Sequence, residues 1–473
     1  MKLNDFIVRI TLTLLLIGIS GCTLGPDYKR PEALDVMPES YKESAGWKLA
    51  QPDSVSISSS WWETYDDPVL NRLTAQVAGA NLNVAAAAAQ LRQARALVQA
   101  ARSGAFPTVN GGVSATRSHL NRVLGASGDG KTLSTFQLPF DSSWELDLWG
   151  RVRRGIESSQ ASYEASAADL AAVTLSAQAE LVNAYFQLRL LDAQRQLLEA
   201  TKDVYQKSYD ITSYQYSAGV TTQAELFQAE SQLKNIAAQA VDLGVQRAQL
   251  EHAIALLIGQ PPAAFSLPPA PLSAAIPIVP PGLPSELLER RPDIAAAERN
   301  MAAANAQIGF AEAAFYPTVS LSASAGFSAS TLADWLEWPS RFWSIGPTAS
   351  ASLFDGGLRQ AQSDQARAAY EFSVASYRET VLRAFQEVED NLAALRILEE
   401  ETRLQDQAVA AARQALKITT DQYQAGSVAY LNVLVAQSLS LSNERTALSL
   451  LGRRLSASVL LVKALGGGWQ GLK

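Results

Sequence analysis

Few side chains in this 473-residue chain could do covalent or metal chemistry. It has two histidines, His119 and His252, and a single cysteine, Cys22. A Cys/His metal cluster needs several such ligands, and a Ser–His–Asp or Cys–His constellation needs a histidine held beside a nucleophile by a third group. Neither is visible, so the sequence points to no enzyme, no metal site and no cofactor. Both histidines read as solvated or loosely packed side chains. The net charge of −7 and a sequence pI near 5.2 speak against a nucleic-acid partner.

Cys22, the one reactive group, is informative by its position. Lys2 and Arg9 precede an apolar run, Ile10–Ile19, and Ile19-Ser20-Gly21-Cys22 follows. This is a charged n-region, an apolar stretch too short to span a bilayer, and a small-residue cleavage site. It resembles a bacterial lipobox, which implies cleavage before Cys22 and lipidation of its thiol. Thr23 rather than Asp follows, which implies sorting to the outer membrane.

The elements downstream come in two copies. Phe106-Pro107-Thr108-Val109 becomes Tyr316-Pro317-Thr318-Val319 at an offset of 210 residues. From Tyr163-Glu164 and Tyr370-Glu371 to Gly259 and Gly466 the offset is 207. A constant offset over so long a stretch requires helices of equal length, and the three-residue change falls among strands and loops. The expected organisation is a signal peptide (1–21), a lipidated N-terminal segment (22–66), a first copy (67–259), a Pro-rich equatorial connector (260–291), a second copy (292–466) and a tail (467–473). Asp67 and Pro68 have the N-cap and first-position chemistry of a helix running to about Ala105. The connector, with ten prolines from 260 to 292, is expected to lie on the outside of the body.

Each copy places a β-hairpin (107–143, 317–353) before a helical hairpin (150–258, 357–465). In the first, Val109, Val113 and Ala115 alternate with polar residues, as do Phe136, Leu138 and Phe140 between Thr135 and Ser143. In the second, Val319–Phe327 and Ile345–Leu353 do the same. Strands of about ten residues with one apolar and one small or polar face suit a transmembrane barrel. From Gly150 to Tyr216 there is no proline, and from Gly357 to Gln424 neither proline nor glycine beyond the first residue. Such helices would each be about 100 Å long and must pack laterally. Ala218-Gly219-Val220 and Ala425-Gly426-Ser427 mark the turns that end them.

Four strands per chain cannot close a barrel, and a bilayer does not tolerate open sheet edges. Copies must therefore surround an axis. Two would give an interior just filled by side chains; three would leave room for a channel, which the Ser, Thr, Gly, Asn and Gln of the inward face favour.

Several motifs together resemble the TolC-like outer-membrane efflux lipoproteins of the NodT type. They are Leu24-Gly25-Pro26-Asp27-Tyr28, Trp61-Trp62 with Asp67-Pro68, and Ser143–Arg151. Gly282–Leu288 with Arg290–Ile294, Phe354-Asp355-Gly356-Gly357 and Leu465-Gly466-Gly467-Gly468-Trp469 complete the set. The resemblance implies an α+β membrane protein with an internal twofold repeat. It implies a homotrimeric, twelve-stranded β-barrel, four strands per chain, continued by a long periplasmic α-helical barrel. It further implies an exit duct in the outer membrane, with a periplasmic adaptor protein and an inner-membrane transporter of the resistance-nodulation-division type as partners. On it, the adaptor-docking tips are Tyr216, Gly219, Val220 and Thr221, and Tyr423, Gly426, Ser427 and Val428. The periplasmic gate maps to Leu431, Asn432 and Val435, with Glu225 and Gln228 at the matching places of the first copy. The family's gate is often acidic; Asn432 and Val435 are not, which argues for an apolar constriction instead of cation selection. The alternatives are a passive porin or a structural surface lipoprotein. A porin would need more strands per chain, and a stalk would need no hairpins at matching places.

Overall fold

The computed structural model describes residues 23–34, 38, 40–44, 60–120, 131–272, 276–277, 287–469 and 471. Cys22, the signal peptide and the motif Gly282–Glu286 lie outside them. The chain divides into two compact units, and neither is a repeat copy. One comprises Met1–Glu32, Gln90–Ser166 and Ala296–Arg378; the other comprises Ala33–Ala89, Ala167–Ala295 and Glu379–Lys473.

The first unit holds the sheet: β1 (Thr108–Gly111), β2 (Ser114–Leu120), β3 (Lys131–Leu146), β4 (Thr318–Ala329) and β5 (Arg341–Ser350). All pairs are antiparallel, in the order β1-β3-β4-β5, with β2 also on β3. β1 and β2 share one register on β3: Thr108 faces Ser143, Gly111 faces Phe140 and Ser114 faces Gln137. They are one expected strand, interrupted opposite Pro139, which has no N–H to donate. The Gly112 N–H still donates to Pro139 O at 3.0 Å. The sheet thus has four staves, but their limits differ from the alternation in the sequence. β3 runs 16 residues, because its polar start pairs with the equally polar β2. β5 stops at Ser350, short of Leu353, which is exposed just before the chain turns at Gly356 and Gly357 (φ 63° and 92°).

The two hairpins share one register at their base. Thr108 faces Ser143 in one and Thr318 faces Ser350 in the other. First strands are thus 210 residues apart and second strands 207, so the three-residue change sits in the hairpin loop.

The helices are α1 (Pro68–Ala80), α2 (Leu82–Ser103), α3 (Arg151–Ser217), α4 (Gln223–Leu257), α5 (Leu287–Arg290), α6 (Pro292–Ala313), α7 (Leu358–Gln424) and α8 (Tyr430–Ala464). α3 and α7 each have 67 residues, and α4 and α8 each have 35. Asp67 Oδ1 caps α1, accepting from the N–H groups of Val69 and Leu70 at 2.9 and 3.0 Å.

The single helix expected from 67 to 105 is broken at Asn81. Its Oδ1 accepts from Asn83 N–H at 2.9 Å and starts a new helix, while its Nδ2 donates to Leu257 O at 2.9 Å. The second copy repeats the device with different chemistry: Arg291 Nη1 donates to Ala464 O at 3.0 Å. Asn81 and Arg291 are equivalent, as are Leu257 and Ala464. A side chain at position 81 or 291 closes the C-terminus of the return helix in each copy. Gly259 and Gly466 let the chain pass close beneath; a methyl there would strike Ala80 O and Arg290 O respectively.

The core of the second unit packs Trp61, Trp62 and Tyr65 against Leu70 and Val77 of α1, Leu181, Tyr185 and Phe186 of α3, Ile254 of α4, and Leu455 and Leu461 of α8. The connector does not simply lie outside: Leu267 is buried in this cluster. It is held there by the Arg247 guanidinium, which donates to Leu267 O and to Asp192 Oδ1, and by Arg189, which donates to Asp192 and to Pro268 O. Asp192 and Arg189 are buried, so the ions are mutually neutralised as burial demands. The second copy's Arg396, equivalent to Arg189, instead donates to Glu43 of the N-terminal segment. Equivalent positions thus grip two unrelated pieces of chain.

Candidate functional site

α3 gives way to α4, and α7 to α8, through turns of the same backbone design. Val220 N–H donates to Gln215 O at 2.8 Å and Gly219 N–H to Tyr216 O at 3.0 Å. In the second tip Ser427 N–H donates to Gln422 O and Gly426 N–H to Tyr423 O, both at 2.9 Å. This paired pattern satisfies the last helical carbonyls and demands a left-handed residue. Gly219 and Gly426 supply it, with φ of 74° and 75°.

The side chains then diverge. In the first tip Thr222 caps α4, its hydroxyl accepting from Glu225 N–H at 3.3 Å, and the Thr221 hydroxyl donates to the Glu225 carboxylate. In the second tip the N-cap of α8 is Ala429, which has nothing to accept with. Burial holds the α8 start instead. Tyr430 and Val433 form a small core with Ala229 of α4 and Tyr423 of α7. The Tyr423 and Tyr430 rings lie 5.6 Å apart. The Tyr423 hydroxyl donates to Gln215 Oε1 at 2.7 Å, and Gln437 Nε2 donates to Ser208 Oγ at 3.1 Å. Burial, with Tyr423 and Tyr205 nearby, pushes the Tyr430 phenol up to about 12, so it stays neutral at physiological pH.

Of the tip candidates, Tyr216, Gly219, Val220, Gly426 and Ser427 are exposed and Thr221 and Val428 half-buried. Tyr423 is buried: its ring fastens α7 to α3 and α8 and is not presented to solvent. Leu431, Asn432 and Val435 are exposed; Leu431 and Val435 continue into Leu439 as one apolar row at spacing four. Glu225 is half-buried and engaged with Thr221, and Gln228 is exposed. Sequence reasoning missed Tyr430, Val433, Gln437, Ser208 and Gln215. The available signal was Tyr430, an aromatic where the first copy has Gln223.

The sheet of the first unit is two-faced. Cross-strand pairing puts Val109, Leu138, Phe140, Trp144, Leu321, Phe327, Trp343 and Ile345 on one face. The other carries Asn110, Gln137, Asp141, Ser143, Ser322, Ser324, Ser344 and Thr348. A slip of one residue would invert both faces. The apolar face suits lipid and the hydroxyl face suits water. β5 and the β1/β2 stave are the sheet's two edges.

The model of the family described as Outer membrane efflux protein matches residues 73–260 and again 283–467. The chain belongs to this family. Its two matched segments start 210 residues apart and end 207 apart, the same offsets as the hairpin strands. Over 464 residues the chain is 33 % identical to the pyoverdine export outer membrane protein OpmQ of Pseudomonas aeruginosa, covering 96 % of this chain and 95 % of OpmQ. It is 32 % identical over 463 residues to the toluene efflux pump outer membrane protein TtgI of Pseudomonas putida, covering 96 % and 97 %. Among solved structures it resembles the outer-membrane channel OprN, with a TM-score of 0.89, 34 % identity, and coverage of 95 % of this chain and 100 % of that one. The open state of the MtrE channel of Neisseria gonorrhoeae aligns with a TM-score of 0.83 at 27 % identity, covering 96 % and 100 %.

The protein is an outer-membrane efflux duct that extends into the periplasm. Its sheet has four staves and two open edges, which only neighbouring copies around an axis can close in a bilayer.

Proposed function

We propose that this duct exports small organic solutes handed to its helix tips by a periplasmic adaptor, which couples it to an inner-membrane transporter of the resistance-nodulation-division type. The carrying observation is the pair of tips with one backbone design and different side chains. Tyr216, Gly219, Val220 and Thr221, with Gly426, Ser427 and Val428, form the docking surface, and buried Tyr423 holds it in shape. Leu431 and Val435 form an apolar constriction just inside the second tip, with uncharged Asn432 beside them. Glu225 and Gln228 leave the first tip polar. A lipid on Cys22 anchors the chain. The pumps named for the relatives above handle pyoverdine and toluene; the hydroxyl-lined duct carries no substrate code of its own, so the transporter chooses the cargo.

A photo-reactive side chain in place of Val220 or Ser427 is expected to capture the adaptor, identified by mass spectrometry, and the same probe at Val109 to capture none. Capture from Val109 but not from the tips would overturn tip docking. Unchanged tolerance to a broad panel of drugs, solvents and metals after gene deletion would overturn the export reading.

A further inference from the structure

Gln437 of α8 carries a buried acceptor that the chain leaves unmet. The residue is 3 % exposed. Its Nε2 donates to Ser208 Oγ of α3 at 3.1 Å, but its Oε1 meets no donor among the described residues. A buried polar atom without a partner costs stability, so it marks a place where a donor belongs.

Gln437 lines a cleft of about 200 Å³ between α3, α7 and α8. The walls are mostly apolar: Leu197, Ala200 and Val204 of α3, Leu416 of α7 and Leu441 of α8. The other polar groups lining it are already engaged. The Thr201 hydroxyl donates to Leu197 O at 2.8 Å, and the Tyr205 hydroxyl pairs with Ser438. The Glu444 carboxylate accepts from Arg413 Nη2 at 2.7 Å and from Ser440 Oγ at 3.0 Å. Arg413 holds that carboxyl below its usual range and balances its charge. The cleft therefore calls for one donor and no charge. An ammonium would lose its water here with no free carboxylate to meet it. An apolar cavity of about 150 Å³ takes benzene, so this cleft has room for a single ring with a short polar arm.

The matching face of α4 is built differently. Gln437, Ser440 and Leu441 correspond to Glu230, Leu233 and Lys234. Two charged groups stand there, one of them in place of the neutral acceptor, so the cleft is private to the second copy.

We propose that this cleft binds a neutral one-ring molecule with a single O–H donor, a phenol or aryl alcohol, whose hydroxyl donates to Gln437 Oε1 while its ring lies against Leu197, Leu416 and Leu441. Gln437 also ties α8 to α3 about one turn beyond Val433 of the second tip's core. A ligand that binds the joined arrangement favours it over any other. Occupancy therefore fastens the second tip.

The test is fluorine NMR binding of 4-fluorophenol and 4-fluorotoluene to the full chain in lipid nanodiscs, with empty nanodiscs as the baseline. The two probes have nearly the same shape, and only the first is a donor. 4-Fluorophenol is expected to bind saturably and about tenfold more tightly than 4-fluorotoluene, the worth of satisfying one buried acceptor. Gln437→Leu is expected to bring the two probes to equal affinity. Ala200→Phe, which fills the cleft from an exposed position, is expected to block both. Amide exchange over residues 430–437 is expected to slow about tenfold at roughly ten times the dissociation constant of 4-fluorophenol. No saturable binding beyond the baseline, equal affinities in the parent, a 4-fluorophenol preference that persists in Gln437→Leu, or undiminished binding in Ala200→Phe would overturn the site. Binding with unchanged exchange would overturn its hold on the tip.

Discussion

The two helix tips share a backbone and differ in how they are held. The first is held locally: Thr222 and Thr221 fasten the first turn of α4 through Glu225. The second has lost that cap to Ala429 and is held by tertiary contacts, with Tyr430, Val433 and Tyr423 buried between α4, α7 and α8. A local cap survives movement of neighbouring helices; a shared core does not. The copies also differ in what they present. Leu431 and Val435 stand where the first copy has Ala224 and Gln228. Duplication gave the duct its repeated staves, and divergence at one tip replaced a local cap with a shared core.

The largest effect should come from the shared core. Tyr430→Ala is expected to cost about 3–5 kcal/mol, as for other buried aromatic truncations. The equivalent exposed Gln223→Ala should stay within about 0.5 kcal/mol. Local protease sensitivity at residues 425–432 and thermal unfolding would read the contrast, and equal losses would erase it. Next, Gly219→Ala and Gly426→Ala should each cost about 1–2 kcal/mol, because an L side chain pays that in the left-handed region. Nothing lies within 4 Å of a methyl at either glycine, so the two losses should match. A large difference in denaturation midpoints would show that the turns are not the same device. The smallest effects concern the cap. Thr222→Ala should lose about 1 kcal/mol, and Ala429→Thr should recover a fraction of that in the second tip. Hydrogen exchange of the first turns of α4 and α8 is the readout, and no gain in the second tip would mean its first turn is already fully held by burial.

Much of this was legible beforehand because a constant offset is a strong statement about geometry. The 210 and 207 offsets already imply paired hairpins and equal helices, and Gly219 and Gly426 had to be left-handed. What was not legible came from contacts distant in sequence. Nothing local marks Asn81 as a break in an alanine-rich helix; the Leu257 carbonyl that it satisfies is 176 residues away. Pro139 interrupts the partner strand rather than its own. Leu267 looks like any connector residue until Arg247 and Asp192 hold its backbone. Tyr216 and Tyr423 are the same residue at equivalent positions, yet only the second is buried, since only the second tip has Tyr430 to pack against. The lost cap at Ala429 was readable in the sequence by comparison with Thr222.

The central claim is that the second tip carries an apolar constriction that the first tip lacks. Its most direct test is single-channel conductance in planar bilayers, comparing the parent with the double variant Leu431→Ser, Val435→Ser. An apolar ring that resists wetting should give way to a wetted one, so the variant should conduct more and stay open longer. A conductance no greater than the parent's would contradict the constriction at this tip.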